Sequence, residues 1–184
     1  MAVGRFVHLC GAARRSKSVT QRSPEDVWSY PRPPSMELFR GSLRVVHAGV
    51  EIVCGAEAQR VLETSHPPTY YLPVGSFTEA GRSALRPSAQ RATACEWKGR
   101  ASYFDLCLPG CAPIQAVGWT YPSPRPAFAG LQNHVALYAG PLDLCEVDGE
   151  PVERQDGDFY GGWITSWIHG GERGFKGGPG TWGW

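Results

Sequence analysis

The chain has 184 residues and a formal net charge of +1, which fits one domain and excludes a surface charged strongly enough to attract nucleic acid or an anionic membrane. It contains 23 Gly, 16 Pro and 7 Trp, a composition that predicts many turns, short elements and a core rich in aromatic rings. No run of eighteen apolar residues occurs, so the sequence predicts no membrane span.

The first 23 residues contain five Arg or Lys and no acidic residue. This composition is typical of a transit peptide for a mitochondrion or plastid, and equally of a basic, flexible arm. No secretory hydrophobic segment precedes the six cysteines, so we expect reduced thiols and an intracellular protein. The predicted organisation is therefore a basic targeting or docking arm at 1–23, which packs little against a single β domain at 24–184.

Short alternating and apolar runs dominate the β domain and predict strands joined by tight turns. The predicted elements, in chain order, are a hairpin at 43–54 around Ala48-Gly49, a helical turn or strand entry at 56–64, a strand at 69–73, a hairpin turning at Lys98-Gly99, and strands at 114–121, 134–140 and 142–152, the last turning at Asp148-Gly149. The sequence thus predicts a mainly β fold, a β-sandwich or barrel-like domain with little helix.

The sequence also contains a partial internal repeat at an offset of 91 residues. The stretch 28–49 and the stretch 119–140 share six of 22 aligned positions, among them a Trp-X-Tyr-Pro motif and an Ala-Gly pair. This match predicts an internal duplication, with two related halves and a natural ligand cleft between them. The alternative is that both copies only complete the core.

The C-terminal stretch 170–184 is predicted to form a strap over the β domain. It alternates glycine with aromatic residues, and an ordered tail so rich in glycine requires buried rings to offset its loss of entropy. We therefore expect Phe175, Trp182 and Trp184 to pin the strap, with Phe175 and Trp182 largely buried.

The strongest candidates for chemistry lie in and near the hairpin at Lys98. Cys95 lies close to Lys98, whose charge can favour a nucleophilic thiolate, and Lys98 can also bind an anion. His66 follows Glu63 by three residues in a loop that two prolines stiffen, which indicates a tuned acid–base group. Cys95, His66 and Lys98 are thus the candidate catalytic residues. The competing interpretations are a packed thiol, a turn lysine and a loop histidine bonded to backbone.

Aromatic residues with polar edges favour a pocket for a planar or sugar-like ligand. The predicted ligand-binding residues are Lys98, Tyr70, Tyr71, Tyr103, Trp119 and Tyr121. Alternation along the strand puts Tyr103 on the face opposite Phe104 and Leu106, and the turn register decides whether Cys95 shares the face of Tyr103. The Cys107 and Cys111 pair lacks further ligands, so no metal site is predicted, and the sequence identifies no cofactor.

Four stretches carry a family resemblance: SHPPTYYLP, CEWKGRASYFDL, GWTYPSPRPAFAGLQNHVALY, and DGDFYGGWIT followed by FKGGPGTWGW. Over about 28–184 the chain resembles the family called domain of unknown function 427, which also carries a nucleotidyltransferase-type label. The resemblance implies a compact, mainly β fold and no particular reaction. The chain has no P-loop and no Gly-rich phosphate loop before a helix, so its residues lend that label no support.

Three functions remain open from the sequence. The first is an aromatic-lined pocket, in a binding protein or an enzyme, that binds a small polar or anionic molecule with Lys98 and His66 as anchors. The second is a group-transfer enzyme that depends on Cys95. The third is a structural or accessory subunit that docks on a larger assembly through its arm and strap. A connected cavity at Lys98 favours the first, a base beside Cys95 the second, and extended termini the third.

Overall fold

The computed structural model describes residues 22–157 and 159–181 and is mainly β, which confirms the predicted fold class. Strand accounts for 45% of the structure and helix for 13%. The strands are β1 (Glu25–Asp26), β2 (Ser35–His47), β3 (Val50–Leu62), β4 (Thr69–Pro73), β5 (Leu85–Pro87), β6 (Thr93–Cys95), β7 (Gly99–Leu106), β8 (Ile114–Thr120), β9 (His134–Leu137), β10 (Leu144–Val147), β11 (Glu150–Pro151), β12 (Glu153–Arg154), β13 (Trp163–Ile164) and β14 (Ile168–His169). The helical segments are α1 (Glu79–Ala84) and 3-10 turns at Val27–Ser29, Val74–Ser76, Pro126–Leu131 and Gly171–Arg173.

Ten of these strands form one antiparallel sheet. Its order is β11-β10-β2-β3-β4-β9-β8-β7-β5, and β6 pairs with β7 beside this path. Two small pairs complete the strand structure: β1 lies parallel to β14, and β12 lies antiparallel to β13. Because β1 pairs with β14, the beginning of the described chain and its C-terminal part lie against each other.

The two hairpins with the strongest turn signals form as predicted. Ala48 and Gly49 join β2 to β3 with φ of 50° and 73°, and Asp148 and Gly149 join β10 to β11 with φ of 52° and 78°. Two successive residues with positive φ are the geometry of the two-residue turn that best matches strand twist.

Three local expectations need correction or refinement. Of the two alternatives for residues 56–64, the structure has the strand, since 56–62 belong to β3 and no helical turn forms there. The α-helix lies instead at α1, where Thr78 caps it by accepting a hydrogen bond from the Gly81 backbone at 3.0 Å. The hairpin turn at Lys98 contains three residues, 96–98, and not Lys98-Gly99. Gly99 already pairs with Cys95 across the strands, and its φ of 108° is the positive value that glycine permits there.

The sheet buries side chains on both of its faces. Tyr70 and Leu72 lie in a large first core, together with Phe104 and Leu106, whereas Tyr71 faces a second core. The buried members of the second core are Val61, Tyr71, Ala101, Trp119, Tyr121, Phe128, Leu131 and Ala136. Alternation along β7 thus sorts its residues as predicted, with Tyr103 on the second-core side.

The predicted duplication is not accompanied by matching local structure. Trp28 lies in a 3-10 turn and Trp119 lies within β8, so the two Trp-X-Tyr-Pro motifs adopt different conformations. The internal duplication therefore stays a prediction.

The predicted terminal segments lie partly outside the described residues, which exclude 1–21 and 182–184. Arg22, near the end of the predicted arm, packs on the domain, with a salt bridge to Asp148 at 2.6 Å. Phe175 is half-buried against the first core, whereas Trp182 and Trp184 lie outside the description. Within the described chain, no helix combines the length and apolar character that crossing a bilayer requires.

Candidate functional site

A cavity of about 270 Å³ opens on the second-core side of the sheet. Its floor comes from β4, β7 and β8, and its walls come from the β3–β4 loop, the β6–β7 hairpin and two C-terminal loops. Aromatic rings and polar groups alternate around it. The described residues that line it are Arg32, Val61, Glu63, His66, Pro67, Thr69, Tyr71, Thr93, Ala94, Cys95, Glu96, Trp97, Lys98, Ala101, Tyr103, Trp119, Tyr121, Tyr138, Gln155, Phe159, Tyr160, Gly161 and Lys176.

The cavity brings together seven of the eight residues proposed from the sequence for catalysis or binding. These are His66, Tyr71, Cys95, Lys98, Tyr103, Trp119 and Tyr121. Tyr70 is the exception and was wrongly assigned, because it faces the first core. There its ring packs against Phe39 at 5.1 Å and Trp163 at 5.5 Å between centroids. Adjacent residues of a strand point to opposite faces, so Tyr70 and Tyr71 cannot share one pocket.

The register of the β6–β7 hairpin puts Cys95 and Tyr103 on the same side of the sheet. Cys95 pairs with Gly99 and Thr93 pairs with Ala101, so Cys95 and Thr93 lie on the same face of the sheet as Ala101 and Tyr103. The Thr93 hydroxyl lies 2.8 Å from the Tyr103 hydroxyl and holds it at the wall. Asp105, the next residue on that face, is not part of the wall, and its carboxylate accepts a hydrogen bond from the backbone of Ala116.

A network of phenols forms the aromatic floor. The indole N–H of Trp119 donates to the Tyr71 hydroxyl at 3.3 Å, and Tyr121 is hydrogen-bonded to both Tyr71 and Cys95. Burial raises the pKa of Tyr71 and of Tyr121 far above the usual value, and it raises the pKa of Tyr138 to about 12. These hydroxyls are therefore uncharged at neutral pH and act as hydrogen-bonding groups, not as bases.

The surroundings of Cys95 are aromatic. Its thiol is half-buried in the second core, and its hydrogen-bond partner is the phenol of Tyr121. Among the residues at 22–157 and 159–181, no imidazole or carboxylate is hydrogen-bonded to this thiol. A base beside the nucleophile is the usual means of activating a cysteine, and the described contacts supply none.

His66 is buried in the loop between β3 and β4 and is held by the C-terminal part of the chain. Its Nδ1 lies 3.2 Å from Nε2 of Gln155, and its ring lies 4.5 Å from that of Tyr160. Burial lowers the pKa of His66 to about 3, with smaller contributions from Lys176, Lys98 and Arg32. Glu63, expected to tune the imidazole, instead forms a salt bridge with Arg32, so its carboxylate is not the group that orients His66.

Three cationic side chains line the cavity. The Lys98 ammonium lies 6.0 Å from the centroid of the Phe128 ring, and that of Lys176 lies 5.7 Å from the Tyr160 ring. Arg32 is 3.3 Å from Glu63 and 3.8 Å from Glu96. Both carboxylates that line the described part of the wall, Glu63 and Glu96, are thus paired with Arg32.

Sequence reasoning missed the wall that the C-terminal loops contribute. Gln155, Tyr160 and Lys176 lie 89 or more positions after His66 and belong to no periodic run. The one available signal was the presence of Lys176 among the glycines of the predicted strap. Tyr138 was not among the predicted site residues, although its ring packs on Trp119 at 4.5 Å between centroids.

A second cavity of about 570 Å³ adjoins the first and shares part of its wall. Tyr103, Tyr138 and Tyr160 stand between the two spaces and line both. The described residues contain no group of three or more His, Cys, Asp or Glu side chains placed to hold a metal ion.

Residues 35–148 match the family model described as Domain of unknown function (DUF427). The match covers more than half of the chain, from β2 to the β10–β11 turn, and includes the hairpin with Cys95 and Lys98. It ends before Gln155 and Lys176, which close the cavity from the C-terminal side. The chain matches no curated protein.

Proposed function

Since the chain belongs to the DUF427 family, a domain of unknown function, we propose its function from the cavity itself: the protein binds a small polar or anionic molecule between aromatic rings and lysines. One observation carries this proposal. Side chains from seven separate stretches of the chain converge on one concave space, with Tyr71 and Trp119 below it and Lys98 and Lys176 at its sides. Small-molecule sites have this composition, an apolar wall with a few polar groups that fix orientation.

The size of the space supports a small ligand. A volume of about 270 Å³ lies just below the range of roughly 300–1,000 Å³ that ligand pockets usually occupy. The adjoining space beyond Tyr103 and Tyr138 gives a longer molecule room to extend.

The C-terminal segment supports a binding site over a docking strap. Its described part folds back on the domain: the Lys176 backbone donates to the Ser65 carbonyl at 2.8 Å, and the Trp28 indole donates to the Gly174 carbonyl at 3.1 Å. A subunit that docked through this segment would hold it away from the domain. Group transfer by Cys95 has less support, because a phenol and not a base contacts the thiol.

Native mass spectrometry tests the proposal. The full chain is incubated with a small-molecule extract, desalted and measured, and we expect an added mass that survives transfer. Lys98→Met should lose this mass, because it removes a cation from the cavity wall. Arg100→Met is the matched control, since Arg100 is exposed on the same hairpin and does not line the cavity. Absence of any added mass, or equal retention by Lys98→Met, contradicts the proposal.

A further inference from the structure

The side-chain amide of Gln155 has one permitted orientation. Its Oε1 accepts a hydrogen bond from the backbone N–H of Gly162 at 3.0 Å, and its Nε2 donates to the backbone carbonyl of Lys176 at 2.6 Å. A backbone N–H can only donate and a carbonyl can only accept, so these contacts assign the nitrogen and the oxygen of the amide. The assignment does not depend on His66.

This orientation determines where the proton of His66 lies. The second hydrogen of Gln155 Nε2 is directed to Nδ1 of His66 at 3.2 Å, so Nδ1 is an acceptor and carries no proton. The imidazole is then neutral, with its proton on Nε2. Among the described residues Nε2 has no hydrogen-bond partner. Because His66 lines the cavity, this N–H is available to a ligand.

Among the described residues, three cationic side chains act on the imidazole of His66. Lys176 on the C-terminal segment, Lys98 on the hairpin and Arg32 before β2 all disfavour a proton on the ring. On the loop of His66 itself, the Glu63 carboxylate is engaged by Arg32, and from the loop at 155–161 the ring meets the uncharged Gln155 and Tyr160. Aromatic cavities can attract cations through their ring faces, but here the ammonium group of Lys98 on the cavity wall opposes a cationic ligand.

We propose that His66 is a fixed, uncharged hydrogen-bond donor and that the cavity selects a planar ring bearing an anionic oxygen group. An oxygen of that group accepts the Nε2–H of His66, close to the lysines, while the ring packs on the aromatic floor around Tyr71 and Trp119. The inference rests on the proposed binding function and adds the charge class of the ligand and the residue that recognises it. His66 is then a ligand-binding residue and not an acid–base group.

NMR of the full chain with 15N-labelled histidine tests the first half of the proposal. We expect the ring nitrogens of His66 to report the neutral Nε2–H form from pH 8 to pH 5. Gln155→Glu replaces the amide donor by a carboxylate, so the pKa of His66 should rise by more than one unit. Gln132→Glu is the matched control, since it adds the same charge at an exposed residue outside the cavity wall.

Two results would overturn the assignment of His66 as a neutral imidazole with its proton on Nε2. One is a wild-type His66 that carries its proton on Nδ1 or becomes doubly protonated near pH 6. The other is a folded Gln155→Glu variant whose His66 signals equal those of the wild type. The wild-type spectrum alone decides the tautomer if Gln155→Glu does not fold.

Titration with three ring-bearing probes tests whether the cavity selects an anionic ligand. Benzoate and phenyl phosphate carry an anionic group, and benzylamine is a cation of similar size. We expect at least one of the two anions to shift the His66 Nε2 signal and to bind at least tenfold more tightly than benzylamine, and His66→Phe should reduce that preference. Whichever of the two anions binds more tightly shows whether the site prefers a carboxylate or a phosphate group. Equal or tighter binding of benzylamine, or no response to either anion, overturns the inference. A retained neutral or cationic molecule in the mass spectra would leave the proposed binding function standing.

Discussion

Arg60 and His66 are both buried, and the side chains around each determine whether it is charged or neutral. Arg60 is 7% exposed, and its guanidinium contacts Glu37 through Nε at 2.8 Å and Glu25 through one NH2 group at 2.9 Å. Two carboxylates therefore compensate one buried cation. His66 is 8% exposed but is surrounded by cations and an amide donor, so it is kept neutral.

The neutral state of His66 predicts a loss of stability in acid. Its pKa of about 3 in the folded protein lies below the ordinary value of 6.5. Between these values the unfolded chain binds a proton that the folded chain does not, so the free energy of unfolding falls as the pH decreases from 6.5. His66→Gln should show a smaller fall in Tm between pH 7 and pH 4.5 than the wild type. His169→Gln, at an exposed site, should keep the wild-type slope, and equal slopes for all three proteins contradict the prediction.

The buried position of Arg60 predicts a large effect of its removal. Arg60→Met leaves Glu25 and Glu37 without their cation, and we expect it to lower the free energy of unfolding by about 2 kcal/mol, less than for a fully buried pair because both carboxylates are partly exposed. Arg44→Met is the matched control. Arg44 also pairs with two glutamates but is 45% exposed, so its loss should be below about 1 kcal/mol. Urea unfolding measures both, and equal losses would contradict this account.

Among the elements, the hairpins follow most directly from local chemistry. The turn at Asp148-Gly149 has the residues that positive φ favours, whereas the equivalent turn after β2 has Ala48 at φ 50°. Ala48→Asn should therefore raise the free energy of unfolding by about 0.5–1 kcal/mol, because asparagine adopts this conformation at lower cost. Ala48→Val is expected to lower it, since β-branched residues tolerate positive φ poorly. Thermal unfolding checks both, and a destabilised Ala48→Asn variant would refute the argument.

The helix α1 packs so closely on β3 that one glycine is required. A Cβ at Gly81 would fall well inside contact distance of the Ile52 carbonyl oxygen, which is backbone and cannot move aside. Gly81→Ala should thus lower the free energy of unfolding by about 2 kcal/mol or more. Gly75→Ala provides the comparison, because nothing lies within 4 Å of its Cβ position. Chemical denaturation of the two variants would refute the close packing if they lost the same stability.

Alternation and turn chemistry explain how much of these elements the sequence could predict. They correctly separated Tyr103 from Phe104 and Leu106, because side chains along β7 alternate between the two cores even where its pairing with β8 shifts register. They could not separate Tyr70 from Tyr71, since both faces of β4 are buried and neither tyrosine carries a polar neighbour that marks a face. The six-residue helix α1 was missed because so short a segment has no helical period.

At the scale of the whole molecule, the cavity exists because distant segments meet. The hairpin with Cys95 and Lys98 and the strands with Tyr71 and Trp119 could be placed from local pattern. The opposite wall comes from loops after Glu153 that carry glycines and no periodic hydrophobic run, so only the folded chain brings Gln155 to His66. The hairpin and the aromatic floor of the candidate site were thus predictable, and the C-terminal wall that controls the charge of His66 was not.

The C-terminal segment should therefore be the terminal part on which both stability and ligand binding depend. Deleting 174–184 removes the carbonyl that Trp28 uses, the backbone contact to Ser65 and the Lys176 carbonyl that holds Gln155. We expect Tm to fall by about 5 °C or more, since each kcal/mol lost corresponds to roughly 2–4 °C in a domain of this size. Deleting 1–21 should leave Tm nearly unchanged, because that segment has four Arg or Lys residues, no acidic residue and no apolar period to pack. Calorimetry and native mass spectrometry on both truncated chains test this prediction. A C-terminal deletion that keeps the wild-type Tm and still retains ligand would show that neither stability nor ligand binding depends on this segment.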